Sequence, residues 1–163
     1  MGHALIRIAG GLLFIALLAG SPAFAQHKVD ARAATKIQDC VKTKSATGLA
    51  ETCIGIVSSP CIERFKAPST ADMVNCVAGE HAVWNDMLNE TFRRLRDKLD
   101  AEQQKKLREM QRAWIVSRDK TCAFYWDYFQ GTMASPMSAE CGNRETAQRA
   151  LFLLGFLNDA EGK

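Results

Sequence analysis

STADMVNCVAGEHAVWNDMLNETFRRLRDKLDAEQ, residues 69–103, decides the fold. Ser69 or Thr70 followed by Asp72 is a helix start. From there Met73, Cys76, Val77, Glu80, Trp84, Met87, Leu88, Thr91, Leu95 and Leu99 recur at the three-to-four spacing that puts side chains on one helical face. At the far end Asp100-Ala101-Glu102-Gln103 is a capping signature. Asp100 accepts from the backbone of a new first turn and Gln103 reaches back to the cap. The stretch therefore predicts a long helix over about 70–99 and the immediate start of another.

The second helix carries Leu107, Met110, Trp114, Arg118, Thr121, Cys122 and Tyr125 along its seam. It runs to about Phe129, before Gly131. So short a connection makes the two helices, about 70–99 and 101–129, an antiparallel αα-hairpin. Gly131 to Met137, with Pro136 inside, reads as a loop. Ser138 opens a last helix, about 138–158, through Cys141, Thr146, Leu151, Leu154 and Leu157. Upstream, Gly48, Gly55, Pro60 and Pro68 break any long period, so residues 26–68 are expected to hold short helices packed into one unit with 69–163. The fold class is a small all-α bundle.

Met1 to Ala25 has the layout of a secretory signal: Arg7, the apolar run Ile8 to Ala19, the breaker Gly20-Ser21-Pro22, and a small-x-small box at Ala23-Phe24-Ala25. Cleavage is expected before Gln26. The apolar run is short for a membrane span, and no cysteine stands where a lipid anchor would need one. The six cysteines all follow this signal, so they are expected to be oxidised in a periplasmic or secreted protein. Six cysteines allow fifteen pairings and spacing does not choose among them. Sequential neighbours, Cys40–Cys53, Cys61–Cys76 and Cys122–Cys141, are the expected set, each closing a short loop worth about 3 kcal/mol.

The hairpin seam holds two charges. In an antiparallel pair turning at Asp100, residues whose numbers sum to about 200 face each other, which brings Glu80 and Trp84 near Arg118. Buried charges are normally paired, so a Glu80–Arg118 ion pair with the guanidinium against Trp84 is expected.

Several classes are disfavoured. Removing Arg7 with the signal leaves 20 basic against 18 acidic residues, too even for nucleic-acid binding. No CxxC and no histidine pair offers metal ligation, and only His27 and His81 follow the signal. There is no Gly-rich phosphate loop and no GxSxG, and consecutive helical residues such as Glu80 and His81 do not face each other. With the thiols oxidised no cysteine nucleophile remains. The expectation is a non-enzyme without cofactor or metal. The basic cluster Arg93, Arg94, Arg96, Lys98, Lys105, Lys106, Arg108 and Arg112 at the hairpin tip is interleaved with Asp97, Asp100, Glu102 and Glu109 and reads as a solvated face.

Cys76-x-x-x-Glu80, Leu88-Asn89, Leu107, Gln111-Arg112-Ala113-Trp114, Arg118-Asp119 before Cys122, Gly131-Thr132, Cys141 and Thr146-x-x-Arg149 together resemble the LprI family, from about Cys61 to Leu157. Asn85 and Phe92 stand where that pattern would have Asp and Tyr, and Cys40 and Cys53 lie outside it. The resemblance implies an exported helical protein that inhibits a lysozyme-type muramidase. Such enzymes work with two carboxyl groups in an open cleft, so an inhibitor must present a rigid protrusion with donors. The segment Gln130 to Ser138, with Gly131, Thr132, Ser135 and Ser138, is the expected partner-binding loop. The competing reading is an envelope-associated structural module without inhibitory activity.

Overall fold

The computed structural model describes residues 29–162; the expected export signal lies outside them. In chain order come α1 (Ala31–Ser45), a 3-10 turn (Ala50–Cys53), α2 (Ser58–Glu63), α3 (Thr70–Arg96), α4 (Ala101–Phe129), a 3-10 turn (Gly131–Met133) and α5 (Ala134–Glu161). The described residues contain no strand.

Local chemistry sets the ends of the long helices. Ser69 Oγ accepts from the Asp72 backbone N–H at 3.1 Å, and the Asp72 carboxylate accepts from the Ser69 N–H at 2.9 Å, a complete capping box. The Ser69 hydroxyl, then its backbone N–H, holds the Asp72 carboxyl below the ordinary carboxylate range. Asp100 and Gln103 make the same reciprocal pair at 2.8 and 3.2 Å and start α4. α3 stops at Arg96, three residues before the expected end, and Leu99 turns back as a half-buried residue against the core. α5 begins at Ala134, four residues earlier than expected. Pro136 lies in its first turn, where a missing N–H breaks no intrahelical bond. The expected loop of residues 131–137 thereby shrinks to Gln130–Met133, where positive φ angles at Gln130 (47°) and Gly131 (60°) turn the chain out of α4.

Side-chain bonds give the helix directions. Glu80 to Asn143, His81 to Thr146 and Arg94 to Glu161 advance together along α3 and α5, so these two helices are parallel. Cys122 to Ser138 and Gln111 to Arg149 run in opposite senses along α4 and α5, which are antiparallel. α3 and α4 are thus antiparallel, as a hairpin requires. α5 packs along both of them, and among the described residues no comparable helix-to-helix contact joins α3 with α4. α5 is the middle helix.

Fully buried Ala147 and Ala150 let α5 approach its neighbours closely. Around them gather Ile37 and Val41 of α1, Trp84, Leu88 and Leu95 of α3, Leu107 of α4, and Leu153 and Leu157 of α5. α4 touches this core along one line only, burying just Leu107 and Cys122. Disulfides join Cys40–Cys53, Cys61–Cys76 and Cys122–Cys141, with Cα–Cα distances of 5.8, 5.6 and 5.4 Å. They tie α1 to the following turn, α2 to α3, and α4 to α5.

Candidate functional site

Glu80 is fully buried, at 0 % exposure, and its partner is not Arg118. Oε1 accepts from the Gly55 N–H at 2.6 Å, Trp84 Nε1 at 3.1 Å and Asn143 Nδ2 at 3.2 Å; Oε2 accepts from the N–H groups of Val57 at 2.9 Å and Ser58 at 2.8 Å. The expected ion pair fails for a structural reason. α5 lies where the seam of α3 would have met α4, and the carboxylate turns instead to the backbone before α2. Burial alone would raise the Glu80 pKa, but the bonds from Ser58, Gly55, Trp84 and Asn143 outweigh it and hold the carboxyl below its ordinary value. Gly55 is required here. Its φ is +93°, and a Cβ would come within 3.2 Å of Ser59 Oγ. Glu80 is a bracket that fastens the N-terminal segment to α3 and α5.

Arg118 instead bonds Asp119 through Nε at 2.9 Å and Nη2 at 2.7 Å, and its guanidinium carbon lies 5.0 Å from the Trp114 ring centroid. Trp84, the ring expected beside it, is engaged with Glu80. On α5, Arg149 donates Nε to Gln111 Oε1 at 2.9 Å and lies over both Trp114, at 5.5 Å, and Phe152, at 5.0 Å. Gln111, Trp114, Arg118 and Arg149 thus form one cation–aromatic row along the α4/α5 seam. Arg144, bonded to the Tyr125 hydroxyl at 3.0 Å, extends it, and Phe152 meets Phe156 edge-on. His81 borders the row: its Nε2 is 3.2 Å from Thr146 Oγ1. Burial, and then the charge of Arg118, lower its pKa. Glu140 is shifted the other way, raised by burial and by the charge of Glu80 against the pull of Arg144.

The residues of the expected binding loop separate. Gly131 and Thr132 are exposed in the 3-10 turn, whereas Ser135 and Ser138 are half-buried in α5. The Ser138 hydroxyl donates to the Cys122 carbonyl at 2.9 Å, so it serves the helix packing rather than a partner. What stands beside Thr132 is aromatic. Phe124, Trp126, Tyr128, Phe129 and Met133 are all exposed at this end of α4. Tyr128 packs edge-on against Phe129 at 5.2 Å. The helical period accounts for Tyr125 in the seam and Phe129 at the helix end; the density of aromatics, five in the six residues Phe124 to Phe129, was the available signal for an exposed aromatic end.

Among the described residues there is no group of His, Cys, Asp and Glu able to hold a metal ion, and no helix long and apolar enough to cross a membrane. The fold defines a small disulfide-linked helical protein. The family described as "Lysozyme inhibitor LprI" matches residues 61–153, more than half of the chain, and the chain belongs to that family. No curated protein and no solved structure matches it.

Proposed function

We propose that this is an exported protein that binds a lysozyme-type muramidase and inhibits it by occupying the cleft. The family match over residues 61–153 carries the reading, because the family is described as one of lysozyme inhibitors. The surface that best suits a cleft is the α4–α5 turn. It is short, it is held by the Cys122–Cys141 disulfide, and its exposed Thr132 follows closely in the chain on exposed Trp126 and Phe129 and precedes exposed Met133. A preorganised turn loses little conformational entropy on binding, and aromatic anchors are the side chains that dominate binding energy when a pocket covers them. Thr132 supplies a donor toward the cleft carboxyl groups. Ser135 and Ser138 drop out of that role because α5 holds them.

Inhibition of this kind is stoichiometric and competes with a chitooligosaccharide that fills the same cleft. Thr132→Glu and Trp126→Asp, which would set carboxylates against the enzyme's own, are expected to weaken inhibition at least tenfold. Charge reversal at Arg93 and Arg94 is expected to leave it unchanged. The opposite pattern would move the binding surface to the basic tip.

A further inference from the structure

Among the described residues, the guanidinium of Arg149 is the charged group of the α4/α5 seam with a buried polar atom left without a hydrogen bond. The residue is only 9 % exposed, and its Nη2 is shut off from solvent without a hydrogen-bond partner. Among the described residues its side-chain hydrogen bond goes from Nε to a neutral amide oxygen, that of Gln111. No carboxylate of the described residues comes within ion-pairing distance of it. A buried cation without a counter-charge is unfavourable, and burial accordingly lowers the Arg149 pKa. The second cation over the same indole, Arg118, is paired among the described residues with the exposed Asp119. A surface salt bridge of that kind exchanges readily. Around these two cations the surface is apolar and open, with Phe152 at 47 % and Phe156 at 51 % exposure.

We propose that Trp114, Arg118 and Arg149 form a receptor for a carboxylate, presented as an acidic side chain by the protein partner. A carboxylate matches the planar edge of a guanidinium in geometry as well as in charge. Because Nη2 is shut off from solvent, the exposed Phe152 ring over the Arg149 guanidinium must swing aside to admit the carboxylate; the phenyl rings then cover the pair and exclude water, the arrangement in which charged contacts and aromatic anchors reinforce each other. This rests on the reading that the chain binds a muramidase, and adds that the partner must offer an acidic residue set in an apolar surface. It places a second point of contact on the α4/α5 face, apart from the α4–α5 turn.

The test begins without a muramidase. The oxidised full chain is titrated with N-acetylglutamate α-amide, and the side-chain N–H resonances of Trp114 and Arg149 are followed by NMR. Both are expected to shift and saturate in the millimolar range, to stay in place with the neutral N-acetylglutamine amide, and to lose their response at least fivefold in Arg118→Ala. Silence of both resonances up to 100 mM overturns the receptor, as does an equal response to phosphate or shifts confined to the basic hairpin tip. If carboxylate binding holds while no muramidase is inhibited, the receptor stands and the muramidase reading falls. If inhibition is present and Arg149→Lys and Arg118→Ala both leave it intact, the partner-docking role of the receptor is overturned.

Discussion

Glu80 and Arg118 show how differently charges on two helices adjacent in sequence behave once their surroundings are known. The Glu80 carboxylate accepts five hydrogen bonds in a site with no exposure, so Glu80→Gln sets an NH2 group against backbone N–H donors. The expected loss is roughly 3 kcal/mol in denaturant unfolding at neutral pH. Because the folded-state pKa of Glu80 is depressed, its contribution is complete above the ordinary value of 4.5 and is lost as pH falls through the lower folded value. The Gln variant should lack that acid limb. His81 is also depressed, so its contribution is complete above 6.5 and fades as pH falls toward its folded value, an earlier onset that His81→Gln should abolish. Glu140 works in the opposite sense. Its raised pKa gives stability below 4.5 that is lost as pH rises through the folded value. Arg118→Ala, by contrast, removes a half-exposed cation–aromatic contact and a surface ion pair, and should cost under about 1 kcal/mol. A loss near that of Glu80→Gln would mean that Arg118 does support the buried carboxylate.

At the scale of elements, what was legible in the sequence was what is local. The Ser69/Asp72 and Asp100/Gln103 boxes appear where the residue types placed them, because a cap needs only its own first turn. Asp100→Ala should cost about 1 kcal/mol in thermal or denaturant unfolding through loss of the α4 cap. What was not legible was the order of the helices in space. The pairing of Glu80 with Arg118 assumed that helices adjacent in sequence pack along their whole length, and α5 lies between them instead. A signal for that position was present: Leu151, Leu153, Leu154 and Leu157, with Ala147 and Ala150, cover a face of α5 wider than a single stripe, the mark of an element with neighbours on more than one side. The Glu80 bracket was hidden for another reason. Three of its donors are backbone N–H groups 22 to 25 residues upstream, and no side-chain pattern announces them. Because α4 buries so little, the Cys122–Cys141 disulfide should matter more to it than packing does. Changing both cysteines to serine opens a link spanning 19 residues and should cost about 3 kcal/mol, read as a lower denaturation midpoint with α4 amides exchanging first.

For the whole molecule, three disulfides, an N-terminal segment fastened by one buried carboxylate and a helix with exposed aromatics describe a scaffold stiff at its centre and open along α4. The surfaces proposed for binding were only partly legible. Gly131 and Thr132 enter the proposal from the shape and hydroxyls of the loop expected between α4 and α5, while the aromatic end of α4 and the Arg149 guanidinium enter it from burial, which one sequence does not report. Intact-mass analysis of exported protein should give a chain starting near Gln26 and six hydrogens lighter than its reduced form; thiols free to alkylate would contradict the disulfide framework. The central claim is tested most directly by titrating muramidases of several classes with the purified, oxidised protein. The account predicts that at least one loses activity linearly to an endpoint near one inhibitor per enzyme, and regains it when the inhibitor is reduced. Full activity of every class at a large molar excess would contradict it.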